Sequence, residues 1–142
     1  MYVKLEGENT IFPYMLRQFR EENPSTSFPA KVSAETLERH NVFEVTRTEK
    51  PKYDNLTHFL TSGVEKKGES WVQTWKVAQL PLEQASDNIK QIRTKLLMET
   101  DWCALSDVEM SEEMRSYRQQ LRDITKQDGF PYSVSWPEKP ER

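Results

Sequence analysis

The stretch Trp71-Val72-Gln73-Thr74-Trp75-Lys76-Val77-Ala78-Gln79-Leu80-Pro81-Leu82-Glu83-Gln84-Ala85-Ser86-Asp87-Asn88-Ile89 changes its hydrophobic period in the middle. Before Pro81 the large residues alternate, with Trp71, Gln73, Trp75 and Val77 on one side of an extended chain. After Pro81 they step by three or four: Leu82, Ala85, Ile89, Ile92 and Leu96 form one apolar stripe, and Lys90, Arg93, Lys95 and Glu99 fall away from it. A strand followed by a long helix is therefore expected, the helix running to about Met98.

C-terminal to that helix, Met110, Met114, Tyr117, Leu121 and Ile124 repeat at spacings that suit a helix packed on a neighbour. Ser111 is a candidate N-cap, with Ser106 and Glu109 offering a competing start. The intervening Thr100–Asp107 segment is long enough to reverse the chain, which predicts an antiparallel helical hairpin. Gly129 to Pro140 holds three prolines and reads as an extended Pro-rich tail, whose Phe130, Val134 and Trp136 must pack along the helices or in a partner's groove.

N-terminal to the opening stretch the elements are short. Tyr2–Glu6 alternates as a strand and Gly7-Glu8-Asn9 offers a turn. Pro13 suits the first position of a short helix carrying Leu16 and Phe19, ended by Asn23-Pro24. Ser33 can cap a brief helix to about His40, and Val42–Thr46 is a β-branched strand. Leu56–Thr61 and Trp71–Val77 read as a hairpin across a polar stretch holding Gly63 and Gly68. The expected class is α+β: a small β-containing module with short helices over residues 1–80, then a helical hairpin and extended tail over 81–142.

Composition narrows the function. With 142 residues, 35% hydrophobic and 11% aromatic, the chain has material for one compact domain or two small ones sharing a core. Residues 1–80 carry 11 basic and 11 acidic side chains and residues 81–142 carry 9 and 12, so neither half has the cationic surface that nucleic-acid binding requires. No apolar run approaches the roughly 20 residues of a membrane span, and no signal-peptide pattern opens the chain. Cys103 is the single cysteine, which excludes an intrachain disulfide and fits a cytosolic setting. It reads as a small semi-apolar side chain beyond a helix end.

Residues arranged for bond-making are lacking. His40 and His58 stand outside any nucleophile–base pattern, and one cysteine with two scattered histidines cannot supply a zinc site. Four glycines form no phosphate-binding loop, so no cofactor is expected. Glu21-Glu22 and Glu112-Glu113 read as solvated or helix-terminal charges, and Asn55-Leu56-Thr57 as a chance match to a glycosylation sequon. The expectation is a binding protein and not an enzyme, with no metal, no nucleic acid and no membrane.

The run Ile92-Arg93-Thr94-Lys95-Leu96-Leu97-Met98-Glu99-Thr100-Asp101-Trp102, then Tyr117-Arg118-Gln119-Gln120-Leu121-Arg122-Asp123-Ile124-Thr125, then Phe130-Pro131 and Val134-Ser135-Trp136-Pro137, resembles the phage tail assembly chaperone family over about residues 83–140. The leading part, with Ile11-Phe12-Pro13-Tyr14 and Trp71-Val72-Gln73-Thr74-Trp75, looks like the small β-containing module that often precedes this domain. Cys103 departs from the family, where a small polar residue is expected.

The resemblance implies a protein that binds a tail or tail-fibre subunit in the host cytoplasm during assembly. The fibre would be trimeric, with several copies around its axis; the alternative is a permanent fibre-tip cap or adaptor retained on the virion. It supplies no catalytic residue. The partner-contacting candidates are Trp71 and Trp75 on the aromatic strand, Tyr117, Arg118 and Arg122 on the second helix, and Phe130, Tyr132 and Trp136 in the tail. Trp102 and Trp136 are expected to cover the hairpin, with Arg118, Arg122 and Asp123 holding helices and tail in register.

Overall fold

The computed structural model describes residues 1–105 and 108–140 and is mixed α+β, with a five-stranded sheet and four α-helices. The elements are β1 (Tyr2–Glu6), β2 (Asn9–Tyr14), α1 (Leu16–Glu22), α2 (Ala34–Arg39), β3 (Val42–Thr46), β4 (His58–Lys67), β5 (Ser70–Gln79), α3 (Leu82–Met98) and α4 (Glu112–Asp123). The sheet order is β2-β1-β3-β5-β4. β1 runs antiparallel to both β2 and β3, whereas β3 meets β5 in parallel only at Val45↔Trp71 and Thr46↔Val72. The chain divides into two compact units: 1–52 with 60–76, and 53–59 with 77–142.

In the first unit, alternation along the strands puts Val3 and Val45 on one face of the sheet and Val42 on the other, and all three are buried. Tyr14, Phe19, Val32, Leu37 and Val42 form the core, with Tyr2, Ile11, Leu16 and Phe28 packed around it. Ser33 caps α2 by accepting the Thr36 N–H, as its position before a short helix suggested. His40 closes the same helix and sets its ring edge-on to Phe19 at 5.2 Å.

Two local expectations are corrected. Pro13 does not open a helix; it lies in β2, with a cis Phe12–Pro13 bond, and α1 starts at Leu16 after the Gln18 side chain accepts the Met15 N–H. Pairing with β1, including Tyr2↔Tyr14, overrides a local pattern that also suits a helix start. Gly63 does not lie in the hairpin loop either. β4 continues to Lys67 and the turn is Gly68-Glu69 alone, with Gly68 at φ +61°. That is the first central position of the tight turn whose twist matches the flanking strands.

In the second unit, Met114, Tyr117, Leu121 and Cys103 are buried together, with Leu96, Leu97, Met110 and Trp136 packed against them. Cys103 at 4% exposure fills core space as a small side chain. Ala85, Ile89 and Ile124 are also buried, whereas Leu82, the first residue of the expected stripe, is exposed. Ser111 caps α4 through the Met114 N–H; the competing start at Ser106 lies outside the described residues. Segment 53–59 joins this unit through named bonds: Asn88 donates to the Leu56 carbonyl (2.8 Å) and the Leu80 N–H to the Thr57 carbonyl (2.8 Å).

Candidate functional site

The second unit holds a buried guanidinium. Arg118 lies one position beyond Tyr117 on α4 and is 7% exposed. It donates to the Leu97 carbonyl (2.9 Å), the Thr100 hydroxyl (2.6 Å) and the Asp101 carboxylate (2.8 Å). The last carbonyls of a helix have no partner within it, so α4 completes the C-terminus of α3. The buried Thr100 hydroxyl in turn donates a hydrogen bond to the Leu97 carbonyl at 3.0 Å. Arg118 is thus fully engaged inside the fold. Tyr117, 3% exposed, has its hydroxyl held above the ordinary tyrosine pKa by burial first and by the Glu99 charge second.

The tail is fastened by main-chain recognition to Gln127, just beyond α4. The Gln127 side-chain amide donates to the Ser135 carbonyl (2.9 Å) and accepts the Ser135 N–H (2.8 Å). Pro131 is buried after a cis bond from half-buried Phe130, and Gly129 accepts the Ser133 N–H at 2.7 Å. Tyr132 donates its hydroxyl to the Leu80 carbonyl (2.7 Å) and meets the His58 ring edge-on at 6.0 Å. His58 Nδ1 also lies 2.8 Å from the buried Thr57 hydroxyl, which donates to Asp54.

Half-buried Trp136 joins the core on one side and, with Pro137, walls a groove of about 640 Å³ on the other. The facing side of α4 offers Arg115, Ser116, Gln119 and Gln120. Asp123 at the groove's end is held below the usual carboxylate range by hydrogen bonds from Lys126 first and Gln119 second. Amide side chains beside an indole and a proline suit an extended peptide. They can bond its main chain while the ring covers an apolar side chain.

Of the expected contact residues, Arg118 and Tyr117 are interior, Arg122 is exposed, and Phe130, Tyr132 and Trp136 are half-buried. Trp71 and Trp75 belong to the first unit. Trp71 is half-buried against Phe43, 6.3 Å between ring centres. Trp75 donates to the Thr48 carbonyl (3.3 Å) and lies under Lys50 at 5.5 Å, while Thr48 donates to the Gln73 carbonyl (2.9 Å). The segment after β3 is thereby strapped to β5. Gln73 is the buried member of that face and Val77 is 40% exposed, so the indoles do not fill a core as fully as alternation suggested.

The sequence reading missed an apolar area on the second unit: Met98 is 66% and Leu105 57% exposed, with Trp102 at 40% between them in sequence. The signal was the run Leu96-Leu97-Met98, since three consecutive apolar residues exceed one stripe and one must turn outward. In the first unit, Lys4 bridges Glu6 (2.5 Å) and Glu22 (2.6 Å), and Glu22 also accepts from the Tyr14 hydroxyl (2.8 Å). The hydrogen bond to Glu22 raises the Lys4 pKa, and the Lys4 bond in turn lowers that of Glu22.

Among the described residues no group of three or more His, Cys, Asp or Glu side chains is placed to hold a metal ion, and no helix is long and apolar enough to cross a membrane. No curated protein and no solved structure is significantly similar to the chain. Residues 86–141, which contain most of α3, the Arg118 contacts, α4 and the Trp136 tail, match the family model for phage tail assembly chaperone protein, and this C-terminal segment belongs to that family.

Proposed function

We propose that the chain binds a tail or tail-fibre subunit in the host cytoplasm and keeps its apolar surface covered until assembly. The observation that carries this reading is the family match over residues 86–141. The α4–tail groove beside Trp136 and Pro137 is the contact, with Arg122, Phe130 and Tyr132 close to it in sequence. Its amides and indole fit an extended segment of the subunit, and exposed Met98 and Leu105 add apolar area on the same unit. Tyr117 and Arg118 position these elements from inside. A trimeric fibre presents its binding segment three times, so up to three copies surround one axis.

Co-expression with the tail-fibre protein tests the reading. Soluble fibre and trimer yield should rise several-fold with the intact chain, and the rise should be lost with Trp136→Ala in a protein that still folds. Equal yields with and without the chain reject it.

A further inference from the structure

We infer that the outer edge of β4, from Leu60 to Val64, is a self-association site that pairs antiparallel with the same strand of a second copy. This is independent of tail-subunit binding. β4 ends the sheet order, so one of its sides has no strand partner. Such an edge presents unpaired N–H and C=O groups and is ordinarily blunted by proline, charge or shortness. The opposite edge, β2, is six residues long and carries Pro13, which has no N–H to offer. β4 is ten residues long, and its Leu60-Thr61-Ser62-Gly63-Val64 stretch has neither proline nor charge.

The hairpin fixes which groups face outward. Lys67 and Ser70 flank the two-residue turn Gly68-Glu69 and form its first hydrogen-bonded pair. Counting back, Gly63 faces Thr74 and Thr61 faces Lys76. This agrees with the Thr61 hydroxyl bonding the Lys76 carbonyl (3.2 Å), and with a Cβ on Gly63 meeting Thr74 Oγ1 at 2.9 Å. The odd-numbered residues therefore bond β5, and Leu60, Ser62 and Val64 turn their N–H and C=O groups to the open edge.

This open set is self-complementary. With a two-fold axis at Ser62, Leu60 of each copy pairs with Val64 of the other, Ser62 meets its own counterpart, and all three pairs exchange main-chain hydrogen bonds. Glu65, Lys66 and Lys67 lie beyond this core and do not oppose one another. Ser62 is exposed, so a charge placed there is tolerated by a single copy.

Sedimentation equilibrium of the full chain provides the test. The wild type should show a concentration-dependent dimer. Ser62→Lys and Ser62→Glu should each raise the dissociation midpoint by roughly fivefold or more, because like charges then face each other directly. An equimolar mixture of the two should restore dimers, which a misfolded variant cannot do. A monomeric wild type at all concentrations, single variants that dimerise as the wild type does, or a mixture without recovery would each overturn the proposal.

Discussion

Arg118 of α4 donates to the Leu97 main-chain carbonyl one residue before the end of α3, at 2.9 Å. Removing this donor leaves the Leu97 carbonyl to the Thr100 N–H and hydroxyl, and takes the guanidinium from the buried Thr100 oxygen and the Asp101 carboxylate. Arg118→Met is expected to lower stability by about 2–4 kcal/mol, read as a reduced urea midpoint at unchanged m-value. Arg118→Lys keeps the charge but not the fork of donors and should recover only part of the loss.

Tyr117 and Trp136 separate folding from binding. Tyr117→Ala empties a site in the core and should cost about 3–5 kcal/mol, so subunit binding is lost together with the circular dichroism of the native state. Trp136→Ala truncates a half-buried ring at the groove. It should weaken subunit binding by more than about 1 kcal/mol while the protein remains folded. Calorimetric titration paired with a thermal melt distinguishes the two.

Gly129 leaves no room for a side chain, since a Cβ there would stand 2.2 Å from the Ser133 carbonyl oxygen. Gly129→Ala should therefore displace the Ser133 main chain and cost about 1–3 kcal/mol. Faster hydrogen exchange of the Ser133 and Ser135 amides is the expected sign.

The Lys4–Glu22–Tyr14 cluster makes stability depend on acid. Glu22 has a lower pKa folded than unfolded, chiefly through its bond to Lys4, so its contribution is present above the ordinary glutamate range and is lost as pH falls through the folded value. Glu22→Gln should lower the melting temperature at neutral pH and flatten its fall below about pH 4. Melts at several pH values, wild type against variant, check this.

The helical half of the fold was legible because its information is local. Residues spaced by three and four marked α3 and α4, and Ser33 and Ser111 stood where caps belong. What escaped depends on distant partners. Pro13 suits a helix start until β1 pairs with the residues around it, and the charges at Glu65–Lys67 disguise a strand that β5 sustains. The candidate surface was legible in part. Trp136, singled out for its place in the tail, lines the groove, but Arg118 reads as an ordinary helical arginine until Leu97, Thr100 and Asp101 surround it. The run Leu96-Leu97-Met98 already required one apolar residue to turn outward, whereas the exposure of Leu105, which lies outside the α-helices, had no such local signal.

The most direct measurement of partner binding is affinity isolation of the tagged chain from infected cells before lysis, with mass spectrometry of what accompanies it. A tail or fibre structural protein in near-stoichiometric amount is predicted, released by Trp136→Ala. Recovery of the folded chain without any tail protein would contradict the account.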